Sequence, residues 1–306
     1  MQPIIQANNV SHHYGRQASV INLSLTLQHG EVMALLGTNG AGKTTTLRLL
    51  TGDLVPDTGT ISINNIDLNL HPIKAKQQLG YLPDNAPLYE DLTVDEYLLY
   101  CAKIHGLKGN HARERLSKVK QFCELQSVSR RIIKKLSKGY QQRIGIAQAI
   151  IHQPKAIILD EPTNGLDPTQ IQEMRDLIIH LRNDAAVLLS THQLNEVEQI
   201  CDRVLMLKQG STVFCEDIDQ LQQSNKIRIR FLCDAPIDEL NKQPLIENIK
   251  SITPNLIEIT SAEKLDNLKS TLLAQAQNND WGLVEIYDVQ DTLEDIFVSE
   301  VLRSSR

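Results

Sequence analysis

The residues with the clearest chemical meaning form one glycine-rich run. It reads Gly37, Thr38, Asn39, Gly40, Ala41, Gly42, Lys43 and Thr44, and it is followed by Thr45. This is the complete P-loop pattern, in which glycines let backbone N–H groups converge on phosphate oxygens. Lys43 would neutralise phosphate charge, and the Thr44 hydroxyl would ligate Mg²⁺. The other interpretation, a glycine-rich turn beside a surface lysine, does not explain why a strand enters the run and a helix leaves it.

Two acids, Asp160 and Glu161, end the apolar run Ala156–Leu159. The carboxyl end of a buried parallel strand is where α/β folds bind ligands. We expect Asp160 to hold the Mg²⁺ shell, directly or through water. Glu161, on the opposite side of the strand, is expected to polarise a water for attack on the γ-phosphorus. Ordinary strand ends carry acids too, so the pair takes this meaning from the P-loop that precedes it.

His192 follows a further apolar run, Ala186–Leu189, after Ser190 and Thr191. A lone histidine is commonly a packing or surface residue. This one is expected at the same edge of the sheet as the two acids, where it could donate a hydrogen bond to the γ-phosphate. The other eight histidines show no metal-ligand spacing.

The elements that must position these residues indicate an α/β fold. Glu31–Leu36 and the two apolar runs above are typical of parallel strands covered by helices on both faces. Apolar positions at helical spacing predict a helix over Thr169–Arg182, with Asp167 as its N-cap. Residues 1–218 are therefore predicted to form the first domain.

An inserted helical lobe is predicted at about residues 85–150. The part from Asn85 to Ile133 shows no strand pattern, and helices are predicted over Val94–Ile104 and Ala112–Leu125. A further helix is expected to begin near Ser137.

Residues 219–306 are predicted to form a small α/β domain. Strands are expected at Ile227–Leu232, Leu256–Thr260 and Leu283–Val289, with a helix over Ala262–Ala276. Thr292 and Asp295 resemble a capping box that opens a last helix.

Composition excludes several classes of protein. The 306 residues are 41% hydrophobic and 22% charged, with a net charge of −6. An acidic balance disfavours nucleic acid as a partner, because binding phosphate requires a basic surface. There is no apolar stretch of membrane-spanning length and no signal-peptide pattern at the start. The five cysteines lack the close spacing of zinc or redox sites and are interpreted as reduced thiols.

Five motifs in one order carry a family resemblance. They are the P-loop, Leu136-Ser137-Lys138-Gly139-Tyr140-Gln141-Gln142, Asp160-Glu161-Pro162, Gly165-Leu166-Asp167 and His192. Residues 4–215 thereby resemble the ATP-binding cassette (ABC) ATPases. The resemblance implies the ABC type of P-loop sheet, ATP and Mg²⁺ as ligands, and ATP hydrolysis.

The resemblance also implies a head-to-tail homodimer. Each ATP would lie between the P-loop of one protomer and the Ser137 and Gly139 signature of the other, and Asp167 would link the two sites. Tyr14 resembles the aromatic residue that stacks on adenine, although it could equally be a packing residue. Ser137, taken alone, would be a plain helix cap.

Three residues depart from the family pattern. Lys138 and Tyr140 replace a glycine and a glutamine of the signature, while Ser137 and Gly139 are kept. Asp84 replaces the family's glutamine. Aspartate is shorter and charged, so it could bind Mg²⁺ more tightly and would add negative charge near the γ-phosphate.

The signature, Asp84 and the closing residues 291–297 resemble the ATPase subunits of bacterial exporters for drug efflux, sodium export and gliding motility. This implies separately encoded membrane permease subunits and a place on the inner face of the cell membrane. The candidate permease contacts are Leu88, Tyr89, Leu92 and Tyr97. Packing in the core would explain these four residues as well. The C-terminal domain could serve stability, dimer packing or regulation. A different class, an ABC-type ATPase acting on nucleic acid or the ribosome, remains the alternative.

Overall fold

The computed structural model describes residues 3–221, 225–261, 265–289 and 292–303. The chain divides into two compact units, residues 1–218 and 219–306. The strands of the first unit are β1 (Pro3–Tyr14), β2 (Gln17–Gln28), β3 (Val32–Gly37), β4 (Thr58–Ile63), β5 (Ile66–Asp67), β6 (Leu79–Leu82), β7 (Ala156–Asp160), β8 (Ala186–Ser190), β9 (Arg203–Lys208) and β10 (Ser211–Asp217). Its helices are α1 (Lys43–Leu50), α2 (Pro72–Lys76), α3 (Val94–Ile104), α4 (Gly109–Phe122), α5 (Lys138–Ile150), α6 (Pro168–Leu181) and α7 (Leu194–Ile200), and α8 (Ile218–Leu221) lies at the boundary.

One mixed sheet forms the centre of the first unit. Its strand order is β5-β4-β1-β2-β10-β9-β3-β8-β7-β6. Strands β6, β7, β8, β3 and β9 run parallel to one another, whereas β1, β2, β4 and β5 pair antiparallel. The predicted parallel strands are confirmed. The prediction of strand and helix alternation along the whole domain was wrong for residues 3–28, which form a long antiparallel hairpin.

Alternating side chains of the parallel strands pack into two separate apolar cores. Ile157 and Leu159 lie in one core, which the helices of the lobe complete, and Ile158 lies in the core that contains α1. Successive residues of a strand point to opposite faces, so an unbroken apolar run is stable only where both faces are covered. Each fully buried side chain of this kind contributes about 1.5–3 kcal/mol.

The segment between β6 and β7 is helical, as predicted. It contains α3, α4, the short 3₁₀ turns Gln126–Val128 and Ile133–Lys135, and α5. Thr93 and Glu96 form a capping box that starts α3. Helix α5 also contacts the sheet, because Gln148 Nε2 donates to the carbonyl of Tyr81 at 2.8 Å.

The second unit contains β11 (Lys226–Phe231), α9 (Ile237–Leu240), β12 (Ile246–Thr253), β13 (Leu256–Ser261), α10 (Leu265–Asn278), β14 (Leu283–Val289) and α11 (Leu293–Arg303). Its antiparallel sheet has the order β12-β13-β11-β14. Two β-α-β halves in this order form the ferredoxin-like arrangement. The predicted capping box is present, since Thr292 Oγ1 donates to Asp295 and accepts from its backbone N–H.

Sequence analysis missed β12 because most of its residues are exposed and polar. The predicted helix over 262–276 begins in residues 262–264, which lie outside the described ranges, as does Asp291 of the closing motif. Within the described ranges, the helices are too short or too polar to cross a bilayer.

Candidate nucleotide site

The P-loop lies between β3 and α1, as its chemistry requires. Gly40 and Gly42 have φ values of +79° and +105°, which side-chain-bearing residues rarely adopt. A Cβ atom on Gly42 would lie 2.5 Å from the carbonyl oxygen of Ser19, whereas the space around Gly40 is open. Gly42 is therefore required for backbone packing, and Gly40 leaves open space above the loop. Thr38, Asn39 and Gly40 are exposed, and Ala41 is buried.

The ammonium group of Lys43 folds back onto the loop. Its Nζ donates to the carbonyl of Gly37 at 2.7 Å and to that of Thr38 at 3.4 Å. Burial lowers the pKa of Lys43, and the carboxylates of Glu161 and Asp160 oppose that shift. The positive charge of Lys43 thus lies near the carboxylates of Asp160 and Glu161. The Lys43 ammonium group is the one that could meet phosphate oxygens.

Thr44 and Thr45 have different surroundings at the start of α1. Thr44 is exposed, so its hydroxyl is accessible to a ligand. Thr45 is buried, and its hydroxyl lies 2.7 Å from Ser19 Oγ. The side chain of Thr45 therefore braces α1 against β2, which leaves its backbone N–H as the group that could meet phosphate.

Asp160 is the last residue of β7 and lies half-buried at the sheet edge. Burial raises its pKa, whereas a hydrogen bond from the Ser190 hydroxyl lowers it. The backbone N–H of Asp84 also donates to this carboxylate, and the charge of Asp84 raises the pKa. Two carboxylates in such proximity favour a cation between them.

Glu161 lies just beyond the strand, in a left-handed conformation. Its φ is +49°, and its N–H donates to the carbonyl of Ser190 at 2.9 Å. Strand alternation therefore does not govern its direction, contrary to our expectation, and both acids lie within electrostatic reach of Lys43. His192 Nδ1–H donates to Glu161 Oε2 at 2.8 Å. Burial raises the pKa of Glu161, and His192 opposes this shift.

Asp84 and Tyr14 each have a partner that their sequence context did not indicate. Asn164 Nδ2 donates to Asp84 Oδ1 at 3.2 Å. Tyr14 ends β1 with a 48% exposed side chain, and Arg48 Nη1 of α1 donates to its hydroxyl at 3.2 Å. The ring of Tyr14 is thus tethered to the helix that follows the P-loop.

The signature residues lie at the start of α5. Ser137 occupies the N-cap position, but its side chain makes no capping hydrogen bond. Gly139 is buried, and a Cβ atom there would lie 2.8 Å from Gln170 Oε1 of α6. Asp167 caps α6 by accepting from the N–H of Gln170 at 2.9 Å, as predicted. Ser137 and Gly139 line a polar cavity of about 160 Å³ together with residues of α6.

The structure thus brings Lys43, Asp84, Asp160, Glu161 and His192 into one linked cluster. Ser137 and Gly139 belong to a separate cavity whose lining includes none of these five residues. Sequence reasoning gave no role to Ser190, Asn164 or Arg48. Ser190 could have been found from the sequence, because it places a hydroxyl at the end of the strand that neighbours the strand of Asp160. Asn164 and Arg48 act through contacts across 80 and 34 residues, which local patterns do not show.

A glycine loop between a parallel strand and a helix, with acids at the adjacent strand end, defines a P-loop nucleotide-binding domain. Comparison with known proteins narrows this class. A family model described as ABC transporter matches residues 20–164. The chain is 36% identical over 233 residues to the bacitracin transport ATP-binding protein BcrA of Bacillus licheniformis, covering 76% of this chain and 75% of BcrA. It is 28% identical over 312 residues to the linearmycin resistance ATP-binding protein LnrL of Bacillus subtilis, covering 99% and 100% of the two chains.

A solved structure with the same fold is the ATP-binding cassette MJ0796, a dimer in a post-hydrolysis state with ADP and Pi. It superposes with a TM-score of 0.63 at 25% identity, over 70% of this chain and 98% of that one. The chain belongs to the family of ABC transporter ATP-binding proteins. It is the ATP-binding and ATP-hydrolysing subunit of such a transporter, which confirms the predicted fold class and activity. The family model is that of an ABC transporter and BcrA is named as a transport protein, which favours transport over action on nucleic acid or the ribosome.

Proposed function

We propose that this chain works as a head-to-tail homodimer that hydrolyses ATP to drive a bacterial exporter. The observation that carries the proposal is the convergence of Lys43, Asp160 and Glu161 at one edge of the sheet. In each site, the P-loop and Tyr14 would hold the ATP. The partner's α5 would present an N-terminus with a positive dipole end and an uncommitted Ser137 hydroxyl to the γ-phosphate.

The same edge of the sheet suits Mg²⁺. Oxygen ligands are what this ion prefers, and Thr44, Asp84 and Asp160 supply one hydroxyl and two carboxylates. When bound, Mg²⁺ supplies charge neutralisation on the phosphate oxygens. To bind the metal, Asp84 would give up its hydrogen bond from Asn164. The metal would then be sensed by the residue that directly precedes the helical lobe.

Glu161 is proposed as the general base. Its burial raises its pKa and so increases its basicity, and it lies within electrostatic reach of Lys43 of the P-loop. A neutral imidazole carries one proton, and His192 gives its Nδ1–H to Glu161. Donation to the γ-phosphate therefore requires His192 to become protonated or to exchange the Glu161 contact for the phosphate.

The permease is proposed to contact the helical lobe, so that the chain lies on the inner face of the cell membrane. Tyr89 is 52% exposed and its ring packs 5.3 Å from that of Tyr100, which is 42% exposed. Tyr97 is buried at 3% and belongs to the core instead. Of the four candidate contacts, Tyr89 therefore offers the most accessible apolar surface, with Tyr100 as a neighbour that sequence analysis did not include.

The test of the base is Glu161→Gln in the full chain. Turnover should fall by a factor of about 10² to 10⁴ while ATP still binds, because the amide cannot take a proton. Glu198→Gln on α7 is the matched control, and it should keep the parental rate. Parental turnover in Glu161→Gln would refute the assignment of the base.

Asp84→Gln tests the metal site. We expect the Mg²⁺ concentration required for half-maximal ATP binding to rise, because a charged oxygen ligand is lost, and this change should be larger than the change in metal-free nucleotide affinity. An unchanged Mg²⁺ titration would exclude Asp84 as a ligand.

A further inference from the structure

A buried glutamate lies behind the Glu161–His192 pair. Glu196, in the first turn of α7, is fully buried, and its Oε2 accepts two hydrogen bonds. Thr163 Oγ1 donates at 2.9 Å and Thr191 Oγ1 at 3.2 Å. Both threonines are themselves buried, at 1% and 0% exposure. One carboxylate oxygen thus joins two segments that are distant in sequence.

These two segments carry the residues proposed to act on ATP. Thr163 is in the turn that Glu161 begins, where the N–H of Asn164 donates to the Glu161 carbonyl. Thr191 directly precedes His192, and its Oγ1 accepts from the N–H of Gln193. The segments of Glu161 and His192 are therefore connected twice: by the direct hydrogen bond between these two side chains, and by the hydrogen bonds of Thr163 and Thr191 to Glu196.

Stability alone does not account for this glutamate. Its other oxygen, Oε1, is buried without a hydrogen-bond partner among the described residues. An unpaired buried acceptor destabilises a fold, so this oxygen does not contribute to stability. Methionine, which is close to glutamate in length and shape, should fit the space but would leave two buried threonine hydroxyls without an acceptor, at a modest cost in stability.

We propose that Glu196 is a positioning residue for hydrolysis, which holds the turn of Glu161 and the loop of His192 in register through the two threonine hydroxyls. This rests on the proposed roles of Glu161 and His192. We call Thr163, Glu196 and Thr191 the clamp. It affects only the relative positions of Glu161 and His192, because the P-loop and Tyr14 lie on other elements. Its loss should therefore reduce kcat and leave ATP binding intact.

The experiment compares Glu196→Met with Glu196→Gln in the full chain. Met removes the acceptor, and kcat should fall by about tenfold or more with KM unchanged within about twofold, since small displacements of reacting groups have effects of this size. Gln keeps one carbonyl oxygen able to accept from both threonines, and kcat should stay within about twofold of the parent. The urea midpoint of Glu196→Met should fall only modestly, because the two buried threonine hydroxyls lose their acceptor while the fold and ATP binding are retained. Parental kcat in Glu196→Met, or parallel losses of stability, ATP binding and turnover, would overturn the proposal.

Thr163→Val provides a second arm that does not change α7. It removes one donor isosterically, so kcat should again fall with ATP binding retained, and combining it with Glu196→Met should give less than the product of the two effects. Multiplicative effects would show that the two residues act separately and would overturn the clamp. Glu161→Gln serves as the reference. If it keeps turnover, the proposed base fails; if it is inactive while Glu196→Met is fully active, only the clamp fails.

Discussion

Two stacked histidines should make the stability of the first unit depend on pH. The rings of His105, at the end of α3, and His152, after α5, lie 3.7 Å apart and parallel within 1°. His152 Nε2 is 3.1 Å from the carbonyl oxygen of Leu79 in β6. Burial, together with the charges of His105 and Arg115, lowers the pKa of His152 to about 4, against the opposing effect of the contact with Leu79. Burial lowers the pKa of His105 as well.

The magnitude follows from the difference in proton binding between the folded and unfolded chains. The ordinary pKa of His152 is 6.5 and the folded value is about 4, so the unfolded chain binds more protons between these values. At 1.36 kcal/mol per pH unit, the contribution of His152 to the free energy of unfolding should fall by about 3 kcal/mol as the pH drops from above 6.5 to about 4. Above pH 6.5 the full stability is present, because the ring is then neutral in both states.

Urea denaturation from pH 7.5 to 4.5 measures this loss. His152→Gln, which cannot titrate but can still donate to Leu79, should show a clearly smaller decrease in the free energy of unfolding than the parent. His71→Gln is the matched control, because His71 is exposed, and it should keep the parental decrease. Identical pH dependence in His152→Gln and the parent would refute the reasoning.

Three further substitutions have expected outcomes. Gly42→Ala should abolish ATP binding, since its Cβ would lie 2.5 Å from a carbonyl oxygen. The control is Gly106→Ala, at a glycine that also has a positive φ but open surroundings, and it should keep ATP binding. ATP binding by the Gly42→Ala variant would contradict the prediction. Arg143→Met removes ion pairs to two exposed glutamates and a hydrogen bond to a carbonyl. Urea denaturation should show the free energy of unfolding reduced by about 2 kcal/mol, and an unchanged free energy of unfolding would count against the network. Phe231→Ala should destabilise the second unit by about 3–5 kcal/mol, because its ring is fully buried there. Calorimetry should show an unfolding transition at a lower temperature, and a thermogram identical to that of the parent would refute this prediction.

The elements with strong local patterns were predictable from sequence. Helix α3 begins and ends at the predicted residues because Thr93 and Glu96 cap it and its apolar positions recur at helical spacing. The strand β14 also has its predicted bounds. By contrast, β1 and β2 are long hairpin strands with mixed exposure, and their register contains several shifts. Periodicity fails where a strand twists and bulges, because the apolar side chains then no longer alternate.

The same distinction applies to the site. Residue types and spacing identified Lys43, Asp160 and Glu161, because each belongs to a contiguous motif. Partners that depend on tertiary contacts were not predictable, and the bond from Asn164 to Asp84 is one example. The conformation of Glu161 is another, since its positive φ arises where β7 ends against β8 and cannot be derived from strand alternation.

The central claim is that ATP is held between two copies of this chain. The most direct measurement is the mass of the Glu161→Gln chain in solution, by light scattering, with and without ATP and Mg²⁺. The mass should double on addition of ATP. Adding Ser137→Phe should abolish the doubling while ATP still binds, because the bulky ring would block the partner's γ-phosphate. A chain that stays monomeric with ATP bound, or one that still dimerises with Ser137→Phe, would show that ATP is not held between two copies.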